Sequence, residues 1–180
     1  MDYLKHYAPA PGNTTLATPG DGGLRLLSFG ILRLRPGETQ TVPAAPCETA
    51  LVILGGVCSV SGEGFAFPRV GARPDVFSGK PHTVYIPCRQ AFQVTAVTEL
   101  ELAWATAPST LQTPAYCIPP EQVREVHLGR DNYQRDAYMI LTDNCPSAHF
   151  FIGEAFVPSG NHASFPPHRH DVDALPDEVN

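Results

Sequence analysis

Phe92-Gln93-Val94-Thr95-Ala96-Val97, followed after two residues by Leu100-Glu101-Leu102-Ala103-Trp104, places apolar side chains at alternate positions. A period of two sends those side chains to one face of a strand. One apolar face backed by a polar one is the pattern of an antiparallel sheet lining an interior. Outward from this stretch, β-branched and aromatic residues mark further strands at Leu24 to Leu34, Ala50 to Val60, Thr83 to Ile86, Phe92 to Ala107, Val123 to Leu128, Ala137 to Leu141 and Phe150 to Val157. Turn chemistry separates them at Arg35-Pro36-Gly37-Glu38, Leu54-Gly55-Gly56 and Ser61-Gly62-Glu63-Gly64. Short strands at such spacing predict an all-β sandwich or small barrel rather than alternating βα units.

The 180 residues include 19 prolines and 15 glycines, spaced so that no helical period holds for more than about ten residues. Between Ala107 and Pro120, four prolines (Pro108, Pro114, Pro119 and Pro120) interrupt any ladder, and new strands follow. This predicts a barrel over residues 1–112 and the start of a second over 113–180. Three strands are expected in the second unit against four in the first. The polar, acidic tail Asp171 to Asn180 adds none, so the second barrel is expected to be truncated and open. Open edges seek partners, so self-association into a homo-oligomer is expected.

Twelve Lys and Arg against 18 Asp and Glu give a net charge of −6, and no basic run exceeds the Arg33/Arg35 pair. Neither nucleic acid nor an anionic membrane is an expected partner. No apolar stretch reaches the roughly 18 to 20 residues a membrane span requires. Nor does the N-terminus carry a basic-then-apolar leader, and a cytoplasmic protein is expected. The five cysteines, Cys47, Cys58, Cys88, Cys117 and Cys145, are odd in number and without a CxxC, as expected of reduced thiols.

The stretch richest in chemistry is Gly160-Asn-His-Ala-Ser-Phe-Pro-Pro-His168-Arg-His170-Asp171. Histidines two apart on an extended segment point the same way, so His168 and His170 can reach one metal ion at about 2.0–2.1 Å. Pro166 and Pro167 stiffen the approach and reduce the entropy lost on ordering the pair. Spacing alone also fits two solvated loop histidines, because a metal needs further ligands that the pattern does not supply.

Three segments taken together resemble the bicupin isomerases that include 5-deoxy-glucuronate isomerase of myo-inositol catabolism, and more distantly the ketol-isomerase of 4-deoxy-5-keto-uronate. They are Phe29-Gly-Ile-Leu-Arg-Leu-Arg-Pro-Gly-Glu38, Asp75-Val-Phe-Ser-Gly-Lys-Pro-His-Thr-Val-Tyr-Ile-Pro87, and Ile152-Gly-Glu-Ala-Phe-Val-Pro-Ser-Gly160 running into Phe165-Pro-Pro-His-Arg-His-Asp171. The resemblance covers the family's N-terminal portion. It implies two cupin barrels of the double-stranded β-helix, or jelly-roll, type, with a divalent metal in the second, zinc or manganese first among the choices. It also implies a site of three histidines and a glutamate, to which His168 and His170 belong. The remaining ligands are not clearly supplied. Glu178 lies in the acidic tail, and His162 stands where the family tends to have tryptophan, so these are the two further candidates. With the site incomplete, the stretch taken alone is expected to be a weak isomerase.

The activity so implied is an aldose–ketose conversion of 5-deoxy-glucuronate, a small sugar acid, to 5-dehydro-2-deoxy-gluconate. Its enediol intermediate suits a Lewis-acid metal. No general base can be singled out. Glu154 is a candidate inward carboxylate, and Arg124, Arg130 and Arg135 could hold the substrate carboxylate. Both sets fit ordinary structural roles as well. His82, Tyr85 and His149 read as packing residues. The rival readings are a non-catalytic cupin module that binds sugar or mediates subunit contacts, and a non-haem iron oxygenase.

Overall fold

The computed structural model describes residues 5–163. Among these the fold is all-β, with strands β1 (Gly12–Ala17), β2 (Ser28–Leu34), β3 (Thr39–Val42), β4 (Cys47–Gly55), β5 (Cys58–Gly62), β6 (Phe65–Val70), β7 (Thr83–Ile86), β8 (Phe92–Ala96), β9 (Leu100–Pro108), β10 (Tyr116–Ile118), β11 (Arg124–Leu128), β12 (Arg135–Leu141) and β13 (Ile152–Phe156). They form a six-stranded sheet in the order β1-β2-β9-β4-β7-β10, a four-stranded sheet β3-β8-β5-β6, and a three-stranded sheet β11-β12-β13.

The alternation in Phe92–Ala96 and Leu100–Trp104 becomes the facing walls of one core. Phe92, Val94 and Ala96 of β8 pack with Val60 and Val70 from the four-stranded sheet, and opposite them stand Leu32, Leu51, Ile53, Val84, Leu100 and Leu102 from the six-stranded sheet. Each such side chain stabilises the fold by about 1.5–3 kcal/mol on transfer from water. Two antiparallel sheets closed on one apolar interior are the jelly-roll barrel that the sequence led us to expect.

Several strand limits differ from the expectation, for local reasons. Ala50 to Val60 is two strands, because the chain turns at Gly56 with φ 93°, where a Cβ would lie 2.0 Å from the Glu99 carbonyl oxygen. Phe92 to Ala107 breaks at Val97 and Thr98, whose backbone N–H groups both turn to the Val57 carbonyl. β2 starts only at Ser28, after a 3-10 turn over Asp21–Gly23. Unread in the sequence were β1, β3, β6 and β10. All four hold edge positions, where a strand such as Thr39-Gln-Thr-Val or the Pro68-containing β6 needs little apolar content and tolerates a missing donor.

The chain divides into two compact units. The first holds the residues up to Val123 together with Ile140–Ile152, and the second holds Arg124–Met139 and the described residues from Gly153 on. β10 pairs with β7 (Tyr116 opposite Tyr85, Ile118 opposite Thr83), so the first unit's sheet continues beyond residue 112.

Within the first unit the outer face of the six-stranded sheet is also covered. Ala50, Val52, Thr83, Tyr85 and Ile118 point away from the barrel core, and all are buried. The Tyr85 ring stacks on Tyr116 at 4.7 Å and meets the edge of Phe150 at 6.5 Å. Beside them lies Glu48, 0 % exposed. Its Oε2 accepts the Tyr85 hydroxyl at 2.6 Å and the Ala148 N–H at 2.9 Å, and its Oε1 accepts the His149 N–H at 2.8 Å. This carboxylate holds a segment 100 residues away against the sheet. Burial, then the bond to Glu48, push the Tyr85 hydroxyl pKa far up, so the phenol stays a donor at any working pH.

All five cysteines are free. Burial pushes the Cys58 thiol up to about 12, with Cys117 adding to the rise. In the folded protein Cys58 is therefore expected to resist alkylation at pH 8, while the half-buried Cys47 reacts. Titration of the unfolded, unreduced protein should count five thiols, and a count of three or fewer contradicts this.

Candidate functional site

The interior of the first barrel is filled by packed aliphatic and aromatic side chains. Chemistry-bearing residues gather instead in the second unit, at the tip of the β11–β12 hairpin. There the chain turns through a 3-10 turn at Asp131–Tyr133, flanked by Arg130 and Arg135. Gly129 is required at this tip: with φ 77°, its Cβ would fall 2.0 Å from the Tyr133 carbonyl oxygen. The loop after β13 is pinned to the same tip. The His162 N–H donates to the Asn132 carbonyl at 2.8 Å, the Asn161 amide to the Gln134 carbonyl at 2.8 Å, and the His162 ring lies 5.5 Å from that of Tyr133.

The register of the hairpin sorts its side chains onto two faces. Glu125 opposes Tyr138 and His127 opposes Asp136, so these four share one face. Val126 opposite Ala137, with Leu128 opposite Arg135 and Arg124 opposite Met139, makes the other. On β13, Phe156 meets Tyr138 at 5.1 Å, and alternation places Glu154 and Ile152 on Phe156's side. His127 Nδ1 and Asp136 Oδ1 are 2.5 Å apart, with the imidazole largely in solvent. The Asp136 hydrogen bond and charge hold the His127 pKa above its ordinary value, and Glu125 adds to the pull. The folded state therefore favours the imidazolium. The resulting stability is present below the ordinary imidazole pKa and is lost as pH rises through the raised one. A histidine NMR titration should show this elevation, with Asp136→Asn moving it back; an unshifted His127 in both proteins contradicts the pair.

The structure separates several residues that the sequence grouped. Arg130 and Arg135 flank the tip, Arg135 donating to the Tyr133 carbonyl at 3.3 Å, whereas Arg124 lies at the opposite end of the hairpin ladder. His162 is exposed. Tyr85 is buried as expected and His82 half-buried, its imidazole pKa lowered by burial. His149 is not a core residue: its side chain is exposed, and only its backbone N–H is engaged, at Glu48. His168, His170 and Glu178 lie outside the described residues. Among the described residues no group of three or more His, Cys, Asp or Glu is arranged to hold a metal ion. Sequence reasoning missed Glu48, which precedes the apolar run Ala50–Leu54 and whose partners are all distant along the chain. It also missed the His127–Asp136 pair, which the alternation in Arg124-Glu-Val-His-Leu could have shown.

Residues 4–180 match the sequence pattern of the KduI/IolB family. Over 174 residues, 96% of this chain, the sequence is 34% identical to 5-deoxy-glucuronate isomerase of Geobacillus kaustophilus. It is 37% identical over 163 residues to the enzyme of the same name from Halalkalibacterium halodurans. The crystal structure of an IolB-like protein from Salmonella typhimurium LT2 superposes on 95% of this chain with a TM-score of 0.88 at 31% identity, and 65% of that chain is covered. The chain spans 63% and 60% of the length of the two curated relatives.

Proposed function

The chain belongs to the KduI/IolB family, and from that premise we propose that its protein is an aldose–ketose isomerase converting 5-deoxy-glucuronate to 5-dehydro-2-deoxy-gluconate. The supporting observation is identity of 34–37% to relatives named 5-deoxy-glucuronate isomerase over nearly the whole chain. The second unit, Arg124–Met139 with the residues from Gly153 on, is read as the opening of the second barrel. The first, with its interior filled by aliphatic side chains, serves as the scaffold. The reaction moves the carbonyl from C1 to C2: a proton leaves C2, an enediol forms, and a proton is delivered to C1.

Two neutral imidazoles, His168 and His170, are a donor set suited to zinc or manganese. A divalent ion so held supplies Lewis-acid stabilisation of the enediol oxygen. The described residues add no further cluster of ligands, and no step is assigned to them through the ion. Arg130 and Arg135, on either side of the hairpin tip, are the groups proposed to hold the sugar-acid carboxylate. A guanidinium matches a carboxylate in two parallel hydrogen bonds, which fixes the substrate's orientation as well as its affinity. A cytoplasmic setting and a homo-oligomer complete the reading.

The test is a turnover assay on the native protein under three conditions: as isolated, after chelation, and with oxygen excluded. The isomerase converts substrate with oxygen excluded and loses activity to the chelator. Oxygen consumption would point to an iron oxygenase, and binding without conversion would point to a sugar-binding module.

A further inference from the structure

A cavity lies in the first unit, where β2, β4 and β9 run out at one end of the barrel. Its volume is about 520 Å³, within the range of small-molecule sites. The N-terminal segment Pro9-Ala10-Pro11 forms one wall and the loop Pro74-Asp75-Val76 another. Between them the cavity combines two kinds of surface. Leu34, Leu54 and Leu100 are apolar, while Arg33, Arg35, Asp75, Glu99 and Glu101 are charged.

The charged groups are only partly used by the protein. Arg33 and Glu101 face each other across the β2–β9 ladder, and Arg33 Nη2 donates to Glu101 Oε2 at 2.7 Å. Asp75 spends Oδ1 on the Phe77 N–H and the Ser78 hydroxyl, which fixes the loop. That leaves Asp75 Oδ2, Glu101 Oε1 and the Arg35 guanidinium without a side-chain hydrogen bond among the described residues, while the Glu99 carboxylate makes none either and is drawn only through space by the Arg33 charge. Acceptors and donors thus alternate around apolar walls.

From this arrangement we propose that the cavity binds a neutral polyhydroxylated ligand of monosaccharide size. A hydroxyl group donates and accepts at once, so interleaved carboxylates and guanidiniums satisfy neighbouring hydroxyls, and the leucines cover the C–H face of the ring. Three carboxylates against two guanidiniums leave the lining net negative. The cavity therefore discriminates against sugar acids, unlike the site proposed for the isomerase substrate, and needs no isomerase activity to be present.

The experiment is an amide NMR titration of the native protein with glucose, and in parallel with glucuronate at matched ionic strength. For a ligand of this size the expected dissociation constant is millimolar. Saturable shifts should be confined to the residues around Arg33, Asp75 and Glu101, with glucuronate binding at least about fivefold more weakly. Glu99→Gln, which leaves the Arg33–Glu101 pair intact, should weaken glucose binding about tenfold. Ala10→Trp, which fills the cavity from the N-terminal wall, should abolish it while leaving the unfolding midpoint in place. Absence of saturation by glucose, shifts located elsewhere, or equal affinity for glucuronate would overturn the proposal.

Discussion

Replacing Glu48 by alanine is expected to lower the unfolding free energy by about 3–5 kcal/mol, one of the largest losses any single substitution should produce here. The carboxylate is fully buried and accepts three hydrogen bonds, from Tyr85 Oη and from the N–H groups of Ala148 and His149. Alanine leaves all three donors without an acceptor in a site walled by Tyr116, Phe150 and Tyr85, and each buried orphan costs about 1–3 kcal/mol. Water entering the vacated space recovers part of that sum. Glu48→Gln keeps the shape but sets an NH₂ group against a donor, so a smaller loss should follow. Tyr85→Phe removes one donor and its hydroxyl together and should be mildest. Urea titrations of the three variants give the order Ala, Gln, Phe from least to most stable. A loss below about 1 kcal/mol for Glu48→Ala would show that the segment is held by apolar contact alone.

The second large effect is on turnover. His168→Ala or His170→Ala should each reduce kcat/KM by more than about 100-fold, since loss of even an outer partner of a metal ligand costs about 10–100-fold. Metal content should fall in step. It should also fall in the unsubstituted protein as pH drops, because ligating imidazoles must be neutral and protons compete for them. His162→Ala should change kcat/KM by less than about tenfold. That side chain is exposed and meets Tyr133, while the loop is held by the His162 backbone N–H, which alanine retains. If His162→Ala were the most damaging of the three, the ligand assignment would have to move to it.

What the sequence revealed followed how strongly each residue depends on its immediate neighbours. The strands facing the core were legible because Phe92, Val94, Leu100 and Leu102 must alternate to fill one interior. Edge strands β1, β3 and β6 were not, since an edge that packs on one side needs no apolar period. The extent of the first unit's sheet was obscured by the prolines around β10: three residues pair with β7 between Pro114 and Pro119, and composition saw only the interruption. Glu48 was invisible for a different reason. Its partners lie 37, 100 and 101 residues away, and no local pattern announces a carboxylate satisfied by distant backbone groups. Of the three arginines that the sequence grouped, Arg130 and Arg135 do flank one turn, whereas Arg124 falls at the other end of the ladder because the strand register, which composition does not carry, separates them.

The isomerase reading meets its most direct test when the native protein, with its bound metal retained, is mixed with 5-deoxy-glucuronate in D₂O and followed by proton NMR. Catalytic decay of the aldehyde signal, matched by growth of the 2-deoxy-5-keto product carrying solvent deuterium at the former aldehyde carbon, is the result expected of an enediol route. Substrate that binds yet keeps its aldehyde over many equivalents of time, with metal present, would contradict the account and leave a binding module in its place.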